Sequence, residues 1–386
     1  MPPKNAKRAS VKKEHKKEHA VIKKTSADLG FLAVVILLTV LGLIMVFSAS
    51  YPSANYKYGD GLYFIRKQAL WAVIGFAAMI VTMKIDYRLY KKNALWILLV
   101  TVVLLLLVLA STPIKGSRRW LGFGSISFQP SEAAKLAVII YFAASLSVVK
   151  ERIREFKVLL RYGVILMLVL GLLLLEPHFS VCLIIGAVAF IMLMVAGAQW
   201  KHFGMIALVA IPIVIVVATK ADYRMDRLAM YWDPFVDPQG DGWQIIQSLY
   251  AIGSGGLFGL GFGNSRQKYM YVSEPQNDFI FSIVCEELGM IGAFVIIILF
   301  GVLIWRGIKI AINAPDTFGS LLVTGIVSLV GVQTFFNIAV VTKLVPTTGV
   351  SLPFFSAGGS SLVFLMAAMG MVLNVSKFEK QVVDLR

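Results

Sequence analysis

Charge is scarce in this sequence. Only 15% of its 386 residues are Asp, Glu, Lys or Arg, while 58% are hydrophobic. A soluble domain keeps about a quarter of its residues charged, so a soluble globular fold is excluded and a polytopic membrane protein is expected. Cysteine is nearly absent. Cys182 and Cys285 both sit in apolar runs without metal-ligand spacing, which excludes a disulfide scaffold, a thiol enzyme and a zinc site and leaves two small core residues. The four histidines form no cluster: His15 and His19 lie in a basic tail, far in sequence from His178 and His202. A nucleotide-binding loop is missing too. The glycines of "GSGGLFGLGFG" (253–263) have no strand–turn–helix context, and no Gly-Lys-Ser/Thr follows.

Acidic residues are also few, 21 against 37 Lys and Arg, for a formal net charge of +16. In a membrane protein that surplus points to lipid rather than to nucleic acid. Nine of the cations fall in the first 24 residues, a block without apolar periodicity that reads as a disordered cytoplasmic tail (1–27) touching anionic lipid. The apolar run after the tail is about 20 residues long, longer than a signal peptide's, so an uncleaved first helix is expected.

A bilayer core takes about 20 apolar residues per helix. That rule gives an all-α membrane domain over 28–376 with ten expected spans: 28–48, 68–86, 93–111, 131–149, 159–175, 179–197, 203–219, 279–305, 317–341 and 353–375. A short C-terminal tail (377–386) follows. Lys and Arg favour the cytoplasmic ends of spans. With the first tail inside, 24 of the 37 cations fall on the cytoplasmic side and 12 outside, with Lys135 left within a span. Both termini are then cytoplasmic, and the one large outer loop is 220–278. Its "WQIIQSLYAI" reads as a short interfacial helix. The loop is too aromatic for disorder, and a connection of that length is usually functional.

The outer cations are grouped. "KGSRRW" (115–120) packs three into one short loop, and 220–278 supplies five more, a pattern that suits a phosphate-bearing ligand or, equally, lipid headgroups and solvent. Carboxylates gather in "SEPQNDFIFSIVCEELG" (273–289), with Asp278 at the mouth of an apolar run and Glu286 and Glu287 further in. By position alone Asp278 reads as a helix N-cap. Glu132 and Lys135, three apart, share a helix face. A lysine inside a span must pair or snorkel, and Glu132, Glu286 and Glu287 are all available partners. Glu287 reads as structural, Glu132 and Glu286 as cavity-lining or ion-pair residues, and Ser360 and Ser361 as helix-end capping residues.

Four stretches in order, "KGSRRWLGFGSISFQPSEAAKL" (115–136), "DPQGDGWQIIQSLYAIGSGGLFGLGFGNSRQKY" (237–269), "EPQNDFIFSIVCEELG" (274–289) and "VPTTGVSLPFFSAGGSSL" (345–362), resemble the shape, elongation, division and sporulation (SEDS) family, whose members include FtsW, RodA and SpoVE. The resemblance covers about residues 28–376 and looks closer to the FtsW and SpoVE branch. It implies a peptidoglycan glycosyltransferase that polymerises lipid II at the outer face of the bacterial plasma membrane, here at the division septum.

The family's essential acid falls on Asp278, implied as general base for the attacking sugar hydroxyl. Undecaprenyl diphosphate leaves, and cations would stabilise its growing charge. Lys115, Arg118 and Arg119 beside Trp120, Arg227, Lys268 and Lys343 are the candidates, with Ser265 as a hydroxyl donor. The chemistry allows a divalent cation (Mg or Mn) at the diphosphate, with no metal-ligand motif for one. A class B penicillin-binding protein is the implied partner. The chain departs from the family at "EPHFSV" (176–181), where His178 stands at a usually acidic position. A lipid II flippase and a non-catalytic division scaffold are the competing readings.

Overall fold

The computed structural model describes residues 19–24, 26–111, 119–123, 126–176, 178–205, 208, 230–240 and 242–383. Ten α-helices carry printed bounds among them: α1 Leu29–Tyr58, α2 Tyr63–Lys84, α3 Arg88–Leu109, α4 Pro130–Val149, α5 Phe156–Leu175, α6 Phe179–Val195, α7 Trp243–Gly255, α8 Ile280–Asn313, α9 Thr317–Val341 and α10 Gly359–Val375. Seven of these (α1 to α5, α8 and α9) are long and apolar enough to cross a bilayer, and α6 and α10 are shorter apolar helices. The expected span 203–219 lies outside the described residues apart from 203–205 and 208.

Helix ends differ from the hydropathy reading where local chemistry overrides it. The first helix runs on to Tyr58 rather than stopping near 48, past Pro52, and ends at Gly59 in the left-handed conformation. The last begins at Gly359 rather than 353, because 353–358 form a turn. The expected interfacial helix is present as α7. The tail read as disordered contributes a strand, β1 (His19–Lys24), which pairs antiparallel with β4 (Phe378–Val383). A small hairpin, β2 (Leu121–Phe123) and β3 (Ile126–Phe128), precedes α4.

Packing follows apolarity and burial. Within their apolar stretches α4 is 72% buried and α9 61%, so these two stand at the centre of the bundle. Helix α3 turns Trp96, Val100, Val103 and Leu107 outward, an apolar surface too continuous for water and suited to lipid. At one end of the bundle Asp28 caps α1 by accepting from the Phe31 N–H (2.7 Å) and pairs with Arg306 near the end of α8 (3.1 Å). The opposite end carries the end of α1 and the start of α8.

Helix α8 is broken. Gly289 has φ 67° and ψ −172°, a conformation that costs a side chain dearly. The break leaves helix-terminal carbonyls and N–H groups without helical partners, and a glycine-rich loop supplies them. Leu260 and Gly261 donate to the carbonyls of Glu286 and Glu287 (2.9 and 3.1 Å), and Met290 and Ile291 donate to Gly256 and Leu257 (2.9 and 3.2 Å). A Cβ on Gly289 would lie 2.3 Å from the Gly259 nitrogen, so close backbone approach as well as φ requires glycine there.

Candidate functional site

The half-helix 280–288 is preceded by Asp278, in the bend where the long loop enters the bundle. Its N-cap position is Phe279, with no side-chain cap, so Asp278 is not the capping residue that its position alone suggested. Two side chains and one main-chain N–H hold the bend. Asn337 of α9 donates its Nδ2 to the carbonyls of Asp278 and Val350, both at 2.7 Å. Ser356 donates to the Asn277 carbonyl (2.8 Å) and accepts from the Leu352 N–H (2.7 Å), while the Ala357 N–H donates to the Gln276 carbonyl (2.8 Å). A Cβ on Gly349 would stand 3.1 Å from Asp278 Oδ2, so the carboxylate faces the 345–358 loop.

That loop and the bend close one side of a cavity of about 190 Å³. Asp278, Trp120, Glu132, Lys135, His178 and Gln333 are among its lining residues, with Ser360 and Ser361 on the wall formed by α10. The two serines read as capping residues, but the α10 N-cap is Gly358 and no side chain caps it. Lys135 settles on Glu132, at 2.9 Å and with both side chains buried, rather than on Glu286 or Glu287. Pairing at i,i+3 lets a lysine stay charged within a span.

Glu286 and Glu287 do other work. Glu287 is buried and bonds Lys268 Nζ (2.7 Å) and Ser48 Oγ (2.7 Å). Lys268 Nζ donates also to Ser48 Oγ (3.1 Å) and the Gly263 carbonyl (2.6 Å), which uses all three ammonium hydrogens. Glu286 accepts from the Ser265 hydroxyl and from the Arg266 N–H (2.9 Å). This network pins the loop after α7 to the half-helix behind Asp278. It corrects two readings: Lys268 and Ser265, expected as diphosphate contacts, are 3% and 1% exposed and spend their polar atoms inside the protein. Glu286 likewise does not line the cavity.

Of the remaining cations, Arg119 is half-buried and donates from Nε to the Glu176 carbonyl (3.3 Å). Lys343 lies in the turn after α9 with φ 57° and is outside the cavity lining. Lys115, Arg118 and Arg227 fall outside the described residues. In the turn between α5 and α6, burial pushes the Glu176 carboxyl up to about 8 against the pull of Arg119. Burial, then Arg119 and Lys135, push His178 down to about 3. At neutral pH the imidazole is therefore uncharged and the carboxyl largely protonated. Neither Glu176 oxygen has a hydrogen-bond partner among the described residues, and neither does His178 Nδ1. Among the described residues no group of three or more His, Cys, Asp or Glu is placed to hold a metal ion.

Asn337 and Gln333 went unread in the sequence, though a signal was there. Two amides four residues apart in an apolar span are expensive in lipid and mark an inward-facing stripe.

Comparison with known proteins is consistent along the chain. The family model described as cell cycle protein, covering FtsW, RodA and SpoVE, matches residues 28–381. Stage V sporulation protein E of Bacillus subtilis (strain 168) is 43% identical over 363 residues, 93% of this chain and 99% of the relative. A probable peptidoglycan glycosyltransferase FtsW of Trichlorobacter lovleyi is 43% identical over 353 residues, 90% of this chain and 93% of the relative. Among solved structures, a chain from work on structural coordination of polymerization and crosslinking by a peptidoglycan synthase complex superposes with a TM-score of 0.75 at 29% identity. The match covers 91% of this chain and 97% of that one. The rod shape determining protein RodA of Thermus thermophilus superposes with a TM-score of 0.67 at 27% identity, over 91% and 96% of the two chains.

Proposed function

The chain belongs to the cell cycle protein family of FtsW, RodA and SpoVE, and from that premise we propose how it works as a peptidoglycan glycosyltransferase. The cavity beside Asp278 is where lipid II is polymerised. The acceptor's sugar hydroxyl attacks the donor's anomeric carbon, the bond to undecaprenyl diphosphate breaks with its electron pair leaving on the diphosphate, and Asp278 takes the hydroxyl proton. Attack opposite the leaving group inverts the anomeric centre in one displacement. One base and one good leaving group suffice, so a second acid is not needed.

The observation that carries this reading is the placement of Asp278: half-buried, at the rim of the cavity, with its main chain fixed by Asn337. A carboxylate on a fixed backbone beside a polar cavity has the reach and orientation a general base requires. The Glu132–Lys135 pair brings one cation into the same cavity while keeping its net charge low, and Trp120 offers an aromatic face to a sugar. Arg119, whose charge acts on the cavity-lining His178, is the candidate for the departing diphosphate, together with Lys115, Arg118, Arg227 and Lys343.

With the positive-inside orientation, Asp278 faces the outer side of a bacterial plasma membrane and both termini face the cytoplasm. The likeness to FtsW relatives supports work at the division septum. A class B penicillin-binding protein is the proposed partner, because the similar chain in the peptidoglycan synthase complex belongs to an assembly that coordinates polymerization with crosslinking.

Purified protein supplied with labelled lipid II, with and without its transpeptidase, tests the proposal. Glycan strands should form with the wild type and not with Asp278→Ala. Polymer unchanged in that variant overturns the assignment of the base. Movement of lipid II across liposomes without any polymer points instead to a flippase.

A further inference from the structure

Beyond the break at Gly289 from Asp278, near the other end of α8, lies a second polar cleft. It has a volume of about 460 Å³ and opens between the start of α1, the end of α8 and the end of α10. Arg306, Lys309, Asn313, Ser26, Asp28 and Ser376 supply its polar wall. The reaction proposed for the other end uses none of them.

The one acid in the cleft is already satisfied. Asp28 Oδ1 accepts from the Phe31 N–H (2.7 Å) and from Arg306 Nε (3.1 Å), and Oδ2 lies 3.5 Å from Arg306 Nη2. The third guanidinium nitrogen, Nη1, has no partner among the described residues. It lies against Gly30, where a Cβ would come within 2.2 Å of Nη1 and Cζ, so the glycine makes room for the guanidinium. Lys309 is exposed, with its ammonium 3.7 Å from the Trp305 ring centre and no carboxylate partner among the described residues. The cleft therefore carries one neutralised ion pair and one cation in surplus.

Its lip is apolar. Leu29 of α1, which lines the cleft, is exposed, as is half of Trp305 of α8, one turn before Lys309, the residue type that settles at the membrane–water boundary. A soluble anion has no use for such a lip, whereas a lipid meets both surfaces at once. We propose that this cleft binds an anionic phospholipid: the phosphodiester against Lys309 and the free edge of Arg306, the glycerol end near Ser26 and Asn313, and the acyl chains along Leu29 and Trp305. Basic pockets between helix ends at a membrane surface recognise phosphate headgroups in this way. Because the same wall joins α1, α8 and α10, the bound lipid braces the end of the bundle where the two terminal strands pair.

The full chain, purified in detergent, is incubated with phosphatidylglycerol, with phosphatidylcholine or with inorganic phosphate, and read by thermal unfolding and by native mass spectrometry. Phosphatidylglycerol should raise the melting temperature and remain bound, while the other two leave the protein unchanged. Lys309→Ala removes the surplus cation without touching the Asp28–Arg306 pair, and should weaken lipid retention about fivefold while the lipid-free melting temperature stays the same. Gly30→Ala, which displaces the guanidinium, should weaken it as well. Equal shifts with the two lipids, or undiminished retention in Lys309→Ala, overturn the proposal. A shift with inorganic phosphate matching that with phosphatidylglycerol overturns it too, by making the occupant a soluble anion.

Discussion

The side-chain amide of Asn337 on α9 donates to the main-chain carbonyl of Asp278 and, equally at 2.7 Å, to that of Val350. One buried amide thus ties the bend that carries the proposed base to the loop that closes the other side of its cavity. The backbone of Asp278 is thereby held in place.

Asn337→Leu should therefore damage catalysis while sparing most of the binding. Two carbonyls lose a donor, and a displacement of the base by about 1 Å costs well-oriented reactions on the order of 100-fold. Steady-state polymerisation kinetics should show kcat reduced by about that factor with KM nearly unchanged. A change confined to KM would mean that the amide serves the substrate and not the base.

The Lys268–Glu287 pair should behave as structure. Removing one partner of a buried pair typically costs about 3–5 kcal/mol, because the other charge is left without compensation. Glu287→Gln and Lys268→Met should each lower the yield of folded protein and its melting temperature. The double variant should recover part of the loss, since no lone charge stays buried. Normal stability in Lys268→Met together with a raised KM for lipid II would instead return Lys268 to the diphosphate.

Glu176 and His178 predict a pH dependence of stability with opposite signs. The folded state raises Glu176 to about 8, so it holds a proton that the unfolded chain has released, and stability falls as pH rises through the interval up to about 8. The folded state lowers His178 to about 3, so stability is lost as pH falls from the ordinary histidine value toward 3. The two oppose each other in mildly acid solution, and above about pH 6.5 only the Glu176 effect remains. Melting temperatures of the wild type should drop between neutral pH and pH 8, at no more than about 1.4 kcal/mol per pH unit, and Glu176→Gln should flatten that limb. An unchanged limb in the variant would assign it elsewhere.

His178 lines the cavity, and its Nδ1 has no partner among the described residues, which makes it a neutral hydrogen-bonding group available to a sugar hydroxyl or amide. His178→Ala should raise KM for lipid II about tenfold, the size of one lost hydrogen bond, and His178→Asn should recover part of it. Equal KM values in all three proteins would make the imidazole a packing residue.

Much of the membrane fold was readable because the bilayer imposes it. Without water, backbone polar groups must be satisfied within helices, so apolar runs of sufficient length announced α1 to α5, α8 and α9 with only their ends in error. Those errors have local causes. The turn of 353–358 delays α10, and α1 continues through an apolar-poor stretch because its buried face, including Ser48, Ser50 and Ser53, packs inside the bundle. The motif around Asp278 was legible for its chemistry. Its supports were not, since Asn337 and Ser356 are 59 and 78 residues away in sequence.

The sequence by itself determined that this is a multi-pass helical membrane protein, and it marked Asp278, because scarce charge in an apolar chain is visible wherever it falls. Only the tertiary structure decided which charges are spent on holding the protein together. Lys268 and Ser265 look like ligands for a diphosphate when read along the chain, but a polar group excluded from water takes the nearest partner that the fold supplies. Here those partners are Glu287 and Ser48 for Lys268 and Glu286 for Ser265, met at the break in α8 by a loop that sequence spacing does not position.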